Sequence, residues 1–329
     1  MKYIYFPTRF DRDTLSPFFD ELDQNLKVDD ICIDCTTLKY SCPTAMLVAG
    51  SKIREWITYR RENKLNTRKY GHEANSNVHS YLRHLGFFDF ITMGGGNKVG
   101  EAQGSSSYLP ITKIPKPKFD ESTQDIEEWY SSIMSVVRGL ARVVSGTVED
   151  TQENRLYNYA FREVIRNVFE HSGANECYVC GQRWYNGHVE IAVIDEGVGI
   201  PDSLRSSFDV TTDSEALLQA IKPGISRTSN IDDSLNTYDN SGFGLYILSE
   251  IASSFGWFVL GSGQSRIIGY QGNTDVEDLC FKGTYFGMRL NKAPSQFSSL
   301  LDDIILVGEE EAKASGITKK ASGMSKLAL

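Results

Sequence analysis

Glu163, Asn167 and His171 recur at intervals of four residues in the segment Glu163-Val-Ile-Arg-Asn-Val-Phe-Glu-His171. On an α-helix each step of four advances only about 40° around the axis, so the three side chains share a face, one turn apart. A carboxylate and an amide stacked in this way suit phosphate chemistry. Asn167 offers a neutral oxygen to Mg2+, an ion that keeps several waters and is held largely through substrate phosphates. Glu163 is suited to orient or deprotonate an attacking hydroxyl or water. The same spacing also describes a solvated polar helix face, and this segment alone does not separate the two readings.

Two further segments supply what a nucleotide would need beyond its phosphates. Asp195-Glu-Gly197-Val-Gly199-Ile200 follows Val189-Glu-Ile-Ala-Val-Ile194, an apolar, β-branched run of the kind that forms a buried strand. A carboxylate at the end of that strand can accept a hydrogen bond from an adenine amino group. Gly197 and Gly199 let backbone approach base and sugar. Taken alone, Asp-x-Gly-x-Gly is equally a glycine turn after a strand. Ser241-Gly242-Phe243-Gly244-Leu245 runs into the helical pattern Leu245-Tyr-Ile-Leu-Ser-Glu-Ile-Ala, so its amides lie near a helix N-terminus, where phosphate is favoured. Thr284 heads a last alternating strand through Phe286, Met288 and Leu290; its hydroxyl is either a phosphate contact or an ordinary turn threonine. In this order the segments describe one ATP site without a lysine-bearing phosphate loop. The sequence contains no Gly-x-x-x-x-Gly-Lys-Ser/Thr, no Gly-x-Gly-x-x-Gly after a strand and no protein-kinase motif set.

The elements that must position these residues are legible around them. Phe161, Val164, Ile165, Val168 and Phe169 form the core-facing stripe of the helix carrying Glu163. Residues 200–240 are polar and broken by Pro223 and Gly224, which suits a mobile flap over the nucleotide. Its apolar anchors are Leu217, Leu218, Ile221 and Ile225, and Lys222 and Arg227 are its candidate phosphate partners. Upstream, Ser122-Thr-Gln-Asp125 reads as a capping box. It opens a leading helix, 120–145, with the apolar seam Ile126, Trp129, Ile133, Val137, Leu140 and Val144. The seam packs either on its own domain or on a second copy as a homodimer. Residues 120–150 contain no histidine, which argues against a phosphorelay histidine kinase of the usual layout.

Residues 156–290 resemble the GHKL superfamily of ATP-binding domains. Its N box corresponds to Glu163, Asn167 and His171, its first glycine box to Asp195-Glu-Gly197-Val-Gly199, and its second to Gly242-Phe243-Gly244-Leu245. The resemblance implies a Bergerat fold: an α/β (α+β) sandwich of a mixed sheet with helices on one face, the nucleotide lying between helix and lid. It implies ATP and Mg2+ as cofactors, with Glu163 catalytic and Asn167 on the metal. His171, Asp195, Gly197, Gly199, Ile200, Gly242, Phe243, Gly244, Leu245 and Thr284 would line the nucleotide site.

The first third of the chain reads as a smaller α/β domain. Residues 30–34 form a strand pattern, and 45–59 and 78–85 form helical ones, the last ending at Gly86. Cys32-Ile-Asp-Cys-Thr-Thr-Leu38 and Tyr81-Leu-Arg-His-Leu-Gly86-Phe-Phe-Asp-Phe90 resemble the STAS domains of bacterial anti-sigma-factor antagonists. Where those domains carry Asp-Ser-Ser-Gly, this chain has Ser41-Cys42-Pro43-Thr44. Ser41 and Thr44 therefore stand as phospho-acceptors or as plain helix caps. The expected organisation is a STAS-like domain (1–94), a Gly/Ser/Pro-containing linker (95–119), the ATP-binding domain (120–294) and a C-terminal tail (295–329). Ile304-Ile-Leu-Val307 is the tail's only apolar run, and the tail is expected to be mobile.

A net charge of -9 over 329 residues argues against a general nucleic-acid or membrane-binding surface. No apolar run reaches membrane-span length, and Met1-Lys-Tyr-Ile-Tyr-Phe-Pro7 lacks a signal-peptide core, so a cytoplasmic protein is expected. Cys32-x-x-Cys35 and Cys177-x-x-Cys180 fall in strand patterns, where residues three apart face opposite ways. Free buried thiols are expected there rather than a zinc site. Two functions follow. One is an ATPase or anti-sigma-type serine/threonine kinase working by partner switching, with protein partners of STAS or sigma-regulatory type. The other is a catalytically silent, nucleotide-gated interaction module. The presence of Glu163 favours the enzyme, because simple binding needs no base.

Overall fold

The structure is a computed structural model that describes residues 1–118, 126–226, 241–323 and 325–326. The expected capping box at 122–125, Arg227 and the rest of the flap to residue 240 lie outside the described residues.

From the N-terminus, β1 (Lys2–Tyr5), β2 (Arg9–Phe10), α1 (Leu15–Gln24), β3 (Asp30–Asp34), β4 (Tyr40–Ser41), α2 (Pro43–Glu62), β5 (Asn66–Tyr70), α3 (Asn77–His84) and α4 (Phe87–Phe90) form a first unit. Three strands pair in parallel in the order β1-β3-β5, and β2 pairs with β4. Parallel neighbours need long crossovers, here supplied by α1 and α2.

A second unit follows: β6 (Tyr108–Pro115), α5 (Ile126–Ser145), α6 (Gln152–Asn167), a π turn (Val168–Ser172), β7 (Glu176–Arg183), β8 (Val189–Asp195), α7 (Ile200–Arg205), α8 (Asp213–Ala220), α9 (Gly244–Phe255), β9 (Gly256–Tyr270), β10 (Asn273–Leu290) and α10 (Phe297–Ala314). Its five strands run β6-β7-β8-β10-β9. The expectation was a mixed sheet, yet each of these pairings is antiparallel. Short turns between β7 and β8 and between β9 and β10 close hairpins, which only antiparallel neighbours allow.

Strand β8 is buried along its whole length and divides its side chains between two cores. Val189, Ile191 and Val193 face the helices α5, α6, α9 and α10, whereas Ala192 and Ile194 face the N-terminal unit. This is the period-two alternation of a strand covered on both sides. Helix α2 supplies the second cover by packing on β7, β8 and β10. The two units therefore share a core. Within the segment expected to link them, 108–115 is the edge strand β6, with Leu109, Ile111 and Ile114 buried. Pro110 and Pro115 fit this place, because an edge strand tolerates proline where one side of its ladder is unpaired.

The seating of α2 is specific. Neither Ser41 nor Thr44 caps the helix with its side chain; the N-cap is Cys42. Instead, the Thr44 amide donates at 3.0 Å to the fully buried Glu190 carboxylate on β8, so the helix receives its cap from the facing sheet. Burial pushes the Glu190 carboxyl above the usual range, a rise partly offset by the Thr44 donors. Ser41 and Thr44 are both buried in this contact, which leaves neither hydroxyl at the surface as a phospho-acceptor. Gly287 on β10 lets α2 approach: a Cβ there would lie 2.6 Å from Thr44 Oγ1. Gly287→Ala is therefore expected to lower unfolding stability by about 1–3 kcal/mol through overpacking. An unchanged urea midpoint would refute this seating.

The seam of α5 takes the first of its two expected placements, and the tail departs from expectation. Trp129, Ile133, Val137, Leu140 and Val144 of α5 are buried in the chain's own core, so the seam is not left open for a second copy. The tail is not an extended remainder, because α10 docks Phe297, Leu301, Ile305 and Ala312 on that same core. Only Ile305 of the run 304–307 lies inside. Gly308 and Ala312 complete the buried stripe of α10, and Gly308 lets the helix pack closely against Tyr246. All six cysteines are free, and five of them are buried. No helix among the described residues is long and apolar enough to cross a membrane.

Candidate functional site

Helix α6 starts at Thr151, whose hydroxyl accepts the Asn154 amide at 3.1 Å. It buries Leu156, Phe161 and Ile165 and carries Glu163 and Asn167 on the adjoining face. At Asn167 it passes into the π turn Val168–Ser172, a local widening often found at functional sites. Glu163, Asn167 and His171 all border one cleft, whose lining also draws on β8, α7, α9 and β10.

Glu163 is buried, and its Oε1 accepts Arg162 Nε at 3.0 Å. On its other side stands Gly244, the first residue of α9. A Cβ at position 244 would collide with the Glu163 carboxylate, so only glycine lets this helix N-terminus come so close. The carboxylate and the amides that would receive phosphate thus sit side by side.

Asp195 closes the far wall. It ends β8 opposite Thr284 of β10 and is nearly fully buried. Gly197 donates its amide to Asp195 Oδ1 at 2.9 Å. Burial pushes the carboxyl up to about 7; the Gly197 and Thr284 amides and the Ser172 hydroxyl pull it partly back, while the Glu196 charge adds to the rise. A carboxyl poised near neutrality in a cleft is the pattern of a functional group.

The structure brings Gly199, Ile200, Gly242, Leu245 and Thr284 to the same cleft. Two expected residues stand elsewhere. Phe243 points into the core against Tyr246, their ring centroids 6.4 Å apart, because the turn that exposes its flanking glycines buries the residue between them. Gly197 borders a second cleft between α2 and the Gly283 turn, and its part here is the amide it gives Asp195. The described half of the flap is better packed than its composition suggested. Leu204, Ala216, Ala220 and Ile225 form a small core of their own, helped by Phe208 and Val210. Lys222 is exposed and does not border the cleft.

Several contributors carried little or no sequence signal. Buried Ser262 on β9 accepts the Ile200 amide at 3.0 Å and donates to the Gly283 carbonyl at 2.6 Å, tying the start of α7 to the turn before Thr284. A lone serine in a strand announces none of this. Arg166 and Glu170 form a buried pair at 2.9 Å that borders the cleft, with the Tyr130 ring of α5 against the guanidinium. Their i,i+4 spacing was the available clue. From the N-terminal unit, the Ser51 hydroxyl donates to Glu196 Oε1 at 2.6 Å and Arg54 pairs with the same oxygen. Helix α2 thereby grips the residue next to Asp195.

Residues 151–292, under half of the chain, match the family model described as histidine kinase-, DNA gyrase B- and HSP90-like ATPase. These residues form a GHKL-type ATPase domain. The match takes in every described residue that borders the cleft except Ser325 of the C-terminal segment. The domain's edge strand β6, its helix α5 and the final helix α10 fall outside the match, as does the N-terminal unit, whose STAS likeness rests on its sequence motifs alone. A similar solved structure is described as the crystal structure of ShkA full-length in complex with AMPPNP. It is 14% identical with a TM-score of 0.28, over 75% of this chain and 42% of that one. The chain thus spans less than half of that protein, and the likeness is too low to transfer positions. No curated protein matches this sequence.

Proposed function

We propose that the ATPase domain binds ATP with Mg2+ in this cleft and transfers the γ-phosphoryl group, to water or to a serine or threonine hydroxyl of a protein partner. The observation that supports this most is the meeting, on one cleft of a domain matched to ATPases, of Asp195, Asn167, Glu163 and the N-terminus of α9. Asp195 would accept the adenine amino group. The amides from Gly242 to Gly244 would face the phosphates. Asn167 would give an oxygen to the metal. Among the described residues no group of three or more His, Cys, Asp or Glu is placed to hold an ion unaided, which accords with Mg2+ held mainly by phosphate and water. Glu163, one turn from Asn167, would take the proton of the attacking hydroxyl.

A second reading has its own support. Glu163 is paired with Arg162 inside the protein, so one of its oxygens is already taken by the Arg162 Nε–H at 3.0 Å. Under that reading ATP only closes the flap and changes a partner-facing surface, with partners of the STAS or sigma-regulatory kind. Incubation with γ-labelled ATP and Mg2+, followed by separation of free phosphate from phosphoprotein, decides between them. Release or transfer above the level of an Asp195→Ala control supports the enzyme; bound but intact ATP leaves the gated module.

A further inference from the structure

We infer that the segment following α10 is a built-in clasp that opposes nucleotide entry, an inference that rests on the cleft being a nucleotide site. After α10 the chain reverses, with the Ile317 amide donating to the Ala312 carbonyl at 2.8 Å. Ile317 then packs on the base of the flap: its Cγ2 lies 2.9 Å from where a Cβ of Gly224 would be, and it joins the cluster of Leu204, Ala220 and Ile225. Ala321 is buried in the main core, and its amide donates to Glu309 Oε1 at 3.1 Å. The Lys326 ammonium meets the same carboxylate at 3.1 Å. Between these anchors the buried Ser325 borders the nucleotide cleft, its hydroxyl 3.3 Å from that of Ser241.

The segment therefore holds two parts that a nucleotide must address. Gly224, under Ile317, donates its amide to the Gly242 carbonyl at 3.2 Å, so flap base and glycine loop are already joined. Ser325 sits against Ser241, at the loop whose next amides would receive phosphate. A triphosphate arriving there has to displace the Ser325 contact, and a flap pinned by Ile317 resists rearranging around it. The apparent affinity is then reduced to the fraction of molecules in which the clasp is open. The Glu309–Lys326 anchor is part-exposed and therefore weak, which suits a reversible device. The clasp lies beyond residue 292, outside the segment matched to the family.

The test is stopped-flow and equilibrium binding of a fluorescent ATP analogue with Mg2+ to four proteins: the full chain, a chain ending at Ala314, Lys326→Glu, and Glu309→Lys combined with Lys326→Glu. Truncation is expected to raise affinity about tenfold and to speed association. Lys326→Glu should give a smaller gain of the same sign, about threefold. The charge swap, which restores the pair but not the acceptor of the Ala321 amide, should return affinity part of the way toward that of the full chain. Unchanged or weaker binding in both the truncated chain and Lys326→Glu, each shown folded by its thermal transition, overturns the clasp while leaving the nucleotide reading intact. Failure of all four proteins to bind the analogue overturns both.

Discussion

Glu163→Gln should leave ATP affinity within about threefold of the wild type while phosphoryl transfer falls by about 10²–10⁴-fold, the usual contribution of a positioned base. Glutamine keeps the size of the side chain and an oxygen for the Arg162 Nε–H at 3.0 Å. It also keeps the shape that Gly244 packs against, so the N-terminus of α9 stays in place. What it loses is the ability to accept a proton. The substitution also replaces the charged acceptor of the buried Arg162 Nε–H by a neutral one, and some loss of thermal stability should accompany it. Binding by calorimetry and turnover under single-turnover conditions separate these effects. Equal turnover in the two proteins would remove Glu163 from the chemistry and favour the gated module.

The parts of this site that were legible in the sequence are those whose chemistry is local. Glu163 and Asn167 are spaced by α6 itself, His171 follows in the π turn, and Asp195 is placed by the strand it ends. Glycine at 244 is dictated by a close approach, and such demands leave a mark at a single position. Ser262, Glu196 and Glu190 act across long stretches of chain, through Ile200, Ser51 and Thr44 respectively, and no local pattern encodes those meetings. The same reason hid the union of the two units. Helix α2 was readable as a helix, but that its buried face lies on β7, β8 and β10 depends on Gly287 and Glu190, far along the chain. Composition conceals the edge strand and the last helix: Pro110 and Pro115 suit an edge strand, and Gly308 suits a close helix contact. Once α2 is seen gripping Glu196, the N-terminal unit becomes part of the wall behind Asp195 rather than a tethered neighbour.

That wall makes Asp195 the most informative titrating group in the protein. Asp195→Ala removes a buried, charge-assisted acceptor worth about 1.5–3 kcal/mol, so ATP affinity should fall by about one to two decades. The pH dependence is sharper evidence than the loss itself. With its carboxyl pushed up to about 7 from an ordinary 3.8, Asp195 in the nucleotide-free protein takes up a proton as the pH falls through neutrality. Only the ionised carboxylate is a charged acceptor for the adenine amino group. Affinity should therefore decline as the pH drops from about 8 to about 6, by at most about tenfold per unit below the titration point. The free protein shows the opposite trend. A carboxyl with a raised folded value contributes stability in full below 3.8 and loses it as the pH rises toward about 7, because the unfolded chain has already released its proton. ATP should thus stabilise most on the alkaline side of neutrality, where the free protein is weakened. Asp195→Asn keeps the shape and cannot ionise, so it should flatten both trends. The nucleotide's own phosphate titration is common to both proteins and cancels in the difference. Calorimetric affinities and thermal midpoints for the wild type and Asp195→Asn, taken at half-unit steps from pH 6 to 8, measure that difference directly. Parallel pH profiles for the two proteins would show that Asp195 does not contact the base.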